Sequence, residues 1–338
     1  MKPRLLYIGN KLTHTTANVT TIELLGSLLE KEGYKISYAS SKKNQVVRLL
    51  DMIFAVVMAK IKGVKYVLID TYSTSGFYFA WIVSQLCRIL KLKYIPILHG
   101  GNLPNRLQKS PTLSDTIFKY AYKNVAPSGY LYEVFFNKYP INTVKVPNPI
   151  EVNNYSFVNR TLFEPKLLWV RALDEIYNPK MALEVIQILT QKFPQASLTM
   201  VGPDKENRKQ ELEQIAKSKN LNVTFTGKLS KAAWLELSKS HSIFINTTRV
   251  DNTPMSVLEA MLLGLPVVST NVGGIRYLIE NNIDGFLVPD NDAKKMAECI
   301  DILIHNLVLA NTCVTNARNK VERLDWNVVK KSWNDLLF

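Results

Sequence analysis

Cysteine is scarce in this chain: Cys87, Cys299 and Cys313 among 338 residues, an odd number at irregular spacing. That argues against a disulfide framework and for a reducing, cytosolic compartment. The cysteines lack metal-ligand spacing, and His14, His99, His241 and His305 do not cluster with them. No uninterrupted run of eighteen apolar residues occurs, so no membrane span is expected. The apolar part of the N-terminal MKPRLLYIGN is too short for a signal peptide and reads as a first strand. No G-x-G-x-x-G follows that strand, which leaves a dinucleotide site poorly supported.

Acids are also scarce, but only in one half. Residues 1–148 hold 20 Lys+Arg against 7 Asp+Glu, whereas residues 149–338 hold 22 against 21, which together give the net charge of +14. A basic half beside a nearly neutral one suits a protein with one side facing an anionic surface. Anionic lipid and nucleic acid both qualify, as does charge that serves solubility alone. Nucleic acid is disfavoured, because the basic residues are not interleaved with a stacking platform or a known motif.

What is present is an alternation of short apolar runs and helical patterns, carried through twice. Arg4–Gly9, Lys35–Ala39, Tyr66–Asp70, Lys93–Leu98, Val125–Pro127 and Thr143–Val146 read as strands of a first α/β domain. A loop from Asn10 to Thr16 is expected after the first strand, and Arg106–Lys109 reads as a basic loop. Gln45–Lys62 is a strongly apolar helix with Arg48, Lys60 and Lys62, suited either to a core or to rest on a membrane surface. The proline-bounded Val146–Ile150 and the polar, irregular Val152–Glu164 read as a linker. Strands at Lys166–Val170, Ser197–Gly202, Val223–Gly227 and Ser242–Asn246 then alternate with helices, two of them at Glu206–Ser218 and Lys231–Ser240. The expected architecture is two doubly wound, Rossmann-like α/β domains.

The stretch Arg249–Gly274, RVDNTPMSVLEAMLLGLPVVSTNVGG, carries the chemistry. Thr253 reads as an N-cap and Pro254 as the first residue of a helix that ends at Gly264. Glu259 lies among apolar neighbours and needs a partner if buried. Asp251 precedes the helix, so two acids flank the amides of its first turn, a natural phosphate site. A plain capped helix with a salt-bridged Glu259 fits the spacing as well. Elsewhere Arg171 leaves a strand end, Lys180 opens a helix, and Gly202 and Gly227 end strands at one edge. His99-Gly100-Gly101 sits where a parallel strand runs out, and Asn271–Gly274 reads as a loop close to the phosphate site. Asp290-Asn-Asp292 has the look of a metal motif, but capping of the helix that begins at Ala293 explains it better.

D-N-T-P-M-S-V-L-E-A-M followed by G-L-P-V-V-S-T-N-V-G-G resembles the E-x7-E segment of the family 4 retaining GT-B glycosyltransferases of bacterial surface-polysaccharide type. Asp251 stands where the family has its first Glu, and Pro254 where it has a glycine. The resemblance implies a GT-B fold: residues 1–150 as acceptor-side domain, 151–324 as nucleotide-sugar domain, 325–338 as a helix returning to the first, and a central cleft between. It implies transfer of a hexose-type sugar from a nucleoside-diphosphate sugar, UDP-linked rather than GDP-linked, to a hydroxyl acceptor such as a lipid-linked glycan at the inner face of the membrane. In that reading Arg171, Lys180, Thr253, Ser256, Val257 and Glu259 bind donor, with Glu259 on the ribose. Asp251 and His99 are catalytic, Gly9, Asn10, Gly100, Gly202 and Gly227 border donor or acceptor, and no metal or cofactor is called for. The rival expectation is a non-enzymatic, basic binding protein that keeps a vestigial fold.

Overall fold

The computed structural model describes residues 2–11, 20–39, 42 and 44–338. His14 and most of the loop expected after Asn10 lie outside the described residues. The chain divides into two compact units, Met1–Ile150 with Leu324–Phe338, and Glu151–Arg323.

In the first unit the elements run β1 Arg4–Ile8, α1 Thr21–Lys31, β2 Lys35–Ala39, α2 Gln45–Ile61, β3 Tyr66–Thr71, α3 Ser75–Ile89, β4 Lys93–Leu98, α4 Leu103–Lys109, α5 Pro111–Phe118, β5 Asn124–Ala126, α6 Gly129–Lys138 and β6 Thr143–Lys145. The strands form one parallel sheet in the order β2-β1-β3-β4-β5-β6. Strands buried on both faces need continuous apolar runs, and YVLIDT and KYIPIL supply them. The direction of winding reverses between β1 and β3, which opens a crevice at their carboxyl ends.

Two segments expected as loop or linker fold otherwise. Arg106–Lys109 is helical: Pro104 suits a first turn, and Leu103 and Leu107, four apart, are both buried. The Arg106 guanidinium folds back onto the Ser73 carbonyl, at 2.9 Å from Nε and 2.6 Å from Nη2.

The second unit runs β7 Lys166–Val170, α7 Pro179–Lys192, β8 Ser197–Val201, α8 Lys209–Ser218, β9 Val223–Gly227, α9 Lys231–Ser238, β10 Ile243–Asn246, α10 Met255–Leu262, β11 Val267–Thr270, β12 Phe286–Val288, α11 Ala293–His305 and α12 Leu307–Glu322. Its parallel sheet has the order β12-β11-β10-β7-β8-β9, so the switch falls between β7 and β10. Helix α13, Trp326–Leu337, belongs to the first unit and buries Trp326, Val329, Trp333 and Leu337 in that unit's core. Helix α8 starts later than the sequence suggests, because the Asp204 carboxylate holds the amides of Arg208 and Lys209 in a turn.

The second such segment is the later part of the linker: the boundary between the units falls at Ile150/Glu151, within the expected stretch, but Val152–Glu164 does not act as a linker. The segment after Glu151 is packed into the second unit: Phe163 joins its core, and buried Arg160 donates to the carbonyls of Ser238, His241, Leu263 and Gly264. Carbonyls at helix C-termini lack intrahelical partners and carry partial negative charge, so a guanidinium there fixes the ends of α9 and α10 together. Burial pushes the Arg160 pKa down to about 10. The composition of Val152–Glu164 is polar, but its one arginine is a structural clamp.

Candidate functional site

Both sides of the second unit's switch point contribute residues. Arg171 follows β7, and its amide donates to Val201 at 2.9 Å. A Cβ at Gly202 would lie 1.6 Å from the Arg171 carbonyl oxygen, so only glycine lets β8 end against this backbone. Gly202 in turn donates to the Gly227 carbonyl at 3.0 Å, tying the three strand ends together. From the other side, the loop after β10 brings Asp251 to Arg171, with Nη2 to Oδ2 at 2.5 Å.

The Asn271–Gly274 loop seals this arrangement. Gly274 donates its amide to the Asp251 carbonyl at 2.9 Å. A Cβ would come within 2.2 Å of the Asp251 carbonyl at Gly273 and within 1.9 Å of the Asn252 carbonyl at Gly274. The glycine pair therefore exists for close backbone approach beneath the site.

Helix α10 begins one residue later than the sequence suggests. Pro254 is its N-cap, with ψ 116° and so outside the helix, and its carbonyl accepts from Val257 and Leu258 at 3.1 and 3.3 Å. Thr253 does not cap it. Val257 spends its amide on that first intrahelical bond. Among the described residues, the amides of Met255 and Ser256 carry no hydrogen bond, nor does the buried Ser256 Oγ. The Arg171 Nε is likewise buried without a partner. First-turn amides of any helix lack intrahelical partners, but buried side-chain donors are nearly always satisfied, so the unpartnered Ser256 Oγ and Arg171 Nε mark a place for a ligand. The helix ends as expected: Gly264 has φ +75°, and Gly264 and Leu265 donate to the carbonyls of Met261 and Ala260.

Glu259, buried on α10, is held by two groups the sequence reading did not single out. Tyr155 donates its hydroxyl to Oε1 at 3.1 Å, and Lys231 at the start of α9 forms an ion pair with the same oxygen. Burial first, and the Glu259 charge second, push the Tyr155 pKa well above its ordinary value. The Lys231 ammonium also lies 4.7 Å from the centre of the Tyr155 ring. Lys180 stands apart from this group: its ammonium pairs with Glu211 on α8. Asp292 caps α11 by accepting from the Lys295 amide at 2.8 Å, which is the role expected of it.

The first unit has a cluster of its own at its switch point. The Asp70 Oδ1 lies 2.9 Å from His99 Nε2 and accepts the Tyr7 hydroxyl at 3.0 Å, all three side chains being buried. A carboxylate only accepts, so Nε2 donates in this contact. The Tyr72 ring stacks on His99 at 4.9 Å between centroids. A Cβ at Gly9 would lie 2.2 Å from Asp70 Oδ2, which explains the glycine at the end of β1. Asn10 accepts from Arg48 of α2 at 3.0 Å, and Gly100 adopts φ +84° beside His99. Asp70 and Tyr7 were not among the expected site residues. The one signal was an acid closing an apolar strand next to the strand that ends in His99.

Residues 156–320 match the family model described as glycosyl transferases group 1. This segment, just under half of the chain, is similar to group 1 glycosyl transferases. An uncharacterized glycosyltransferase of Haemophilus influenzae is 28% identical over 158 residues, covering 46% of this chain and 44% of that protein. The Campylobacter jejuni GalNAc-alpha-(1->4)-GalNAc-alpha-(1->3)-diNAcBac-PP-undecaprenol alpha-1,4-N-acetyl-D-galactosaminyltransferase is 23% identical over 207 residues, covering 61% of this chain and 57% of that protein. The matches thus span about half the length of these relatives. Anabaena HepE, solved with UDP and glucose, shares the fold with a TM-score of 0.75 at 16% identity, over 99% of each chain. The fold is GT-B, and the segment matched by the family model contains Arg171, Asp251, Ser256 and Glu259.

Proposed function

We propose that this protein is a retaining glycosyltransferase that moves a hexose-type sugar from a nucleoside-diphosphate sugar to a hydroxyl acceptor. The observation that carries the proposal is a set of unpartnered donors: the Met255 and Ser256 amides and Ser256 Oγ at the start of α10, and Nε of Arg171, whose Nη2 meets Asp251 in the loop before that helix. A diphosphate leaving group gains negative charge as the glycosidic bond breaks, and preorganised donors aimed at it lower the barrier most. The helix dipole and Arg171 supply that charge, which makes the proposed reaction independent of a metal.

In this reading Glu259 accepts the ribose hydroxyls and Asp251 orients the hexose. Each is held by a cation, Lys231 and Arg171 respectively. Lys180 reaches the donor only if it leaves Glu211, and Thr253 contributes through its backbone rather than as a cap. His99, oriented by Asp70, is assigned to the reacting sugar. Gly9, Asn10, Gly100, Gly202 and Gly227 shape the backbone around donor or acceptor.

UDP in the HepE structure supports a UDP-sugar donor. The undecaprenol-linked substrate in the name of the Campylobacter relative supports a lipid-linked glycan acceptor; the proposal has that acceptor presented at the cytoplasmic face of the membrane. The test is incubation with radiolabelled nucleotide sugars, following both transfer and slow donor hydrolysis, alongside Arg171→Ala. Sugar release that depends on Arg171 supports the proposal. Binding without any release identifies a non-catalytic binding protein instead.

A further inference from the structure

Helix α2 is built unlike a surface helix. One face packs into the first unit, where Met52, Val56 and Ala59 meet Leu6, Ile8, Val67 and Val83. The opposite face should then be polar. Instead Val46, Leu50, Phe54, Val57 and Ile61 recur at intervals of three and four residues and point to solvent, Leu50 being 61% exposed, Phe54 66% and Ile61 72%. Val47 broadens the stripe. From Val46 to Ile61 the stripe extends about 22 Å along the helix, far more than isolated exposed side chains explain.

Cations frame the stripe. Lys42 and Arg48 lie at its start, Lys60, Lys62 and Lys65 at its end, and Arg4 donates to the Lys62 carbonyl at 3.0 Å. Asp51 is the one acid in the helix. A second copy is a poor occupant, because pairing this face with itself would bring together two halves that each carry 20 basic against 7 acidic residues. An apolar stripe rimmed by lysine and arginine matches the boundary between acyl chains and anionic headgroups.

We infer that the exposed face of α2 is a docking surface for an anionic lipid bilayer, with Leu50, Phe54 and Ile61 entering the acyl boundary while the flanking cations meet phosphate. Helix α2 then lies in the plane of the bilayer. Among the described residues no single helix is long and apolar enough to cross a membrane, so this attachment is peripheral and reversible. The inference stands without the transferase reading, and its test contains no sugar.

The full chain is floated with phosphatidylcholine vesicles and with vesicles that also contain phosphatidylglycerol. The variants are L50Q/F54Q and, as control, I141Q, which alters a side chain 84% exposed elsewhere in the same unit. All positions are exposed, and thermal melting confirms that each variant folds. The expected result is flotation with phosphatidylglycerol only, weakened by salt, reduced about tenfold or more in L50Q/F54Q, and unchanged in I141Q. Absence of flotation overturns the inference, as does equal flotation of L50Q/F54Q and wild type. A dimer of the free protein that L50Q/F54Q dissolves overturns it too, since a second copy then covers the face.

Discussion

Replacing Glu259 with glutamine separates the two roles the sequence allows this residue. Its side chain is 11% exposed, whereas the Lys231 partner is 46% exposed. Removing the carboxylate charge therefore leaves Lys231 in water, not stranded in the core, and the ion pair lost is worth about 1 kcal/mol or less. The glutamine oxygen can still accept the Tyr155 hydroxyl. The expected fall in melting temperature is about 2–4 °C. Donor binding should suffer far more, because a charge-assisted hydrogen bond to a ribose hydroxyl contributes about 1.5–3 kcal/mol. That is about a ten- to hundredfold rise in Kd, read by titration calorimetry with nucleoside diphosphates. If E259Q binds nucleotide as wild type does while melting many degrees lower, Glu259 is a structural salt bridge and its donor role is wrong.

Arg171→Ala should lower turnover about a hundredfold or more in steady-state assays with a fixed acceptor, with the fold retained by circular dichroism. An unchanged rate would remove Arg171 from the diphosphate site. Gly274→Ala should cost about 1–3 kcal/mol in urea melts, because its Cβ meets the Asn252 carbonyl at 1.9 Å, whereas Gly76→Ala meets only ordinary contact with Tyr72 at 3.4 Å and should be neutral or stabilising. Equal stability of the two variants would contradict the backbone-approach argument. His241 should titrate below its ordinary value, because burial disfavours the imidazolium more than the Leu237 carbonyl favours it. The folded chain then binds fewer protons there than the unfolded one, so stability falls as pH drops below about 6.5. An NMR midpoint at or above 6.5 would refute this.

Legibility in the sequence followed local chemistry. Strand–helix alternation, the doubly wound architecture, the Gly264 and Asp292 caps and the glycine-lined strand ends all follow from residues a few positions apart. The start of α10 did not, because a proline serves as first helical residue or as N-cap, and only the ψ angle of Pro254 decides. Contacts between distant segments were out of reach: Tyr155 and Lys231 meet Glu259 from 104 and 28 residues away, and Tyr7 and Asp70 join across 63. Arg160 was hidden for the same reason, since the carbonyls it clamps belong to helix ends 78 to 104 residues on. The apolar character of α2 was plain, but its two readings, core or surface, differ only in which face the sheet covers. Both faces turn out to be apolar.

The most direct test of the account is a crystal structure of the chain soaked with UDP or GDP. The account predicts the diphosphate at the start of α10, with phosphate oxygens within hydrogen-bond reach of the Ser256 amide and hydroxyl and of Arg171, and the ribose at Glu259. Nucleotide bound elsewhere, or none bound at saturating concentration, would contradict it.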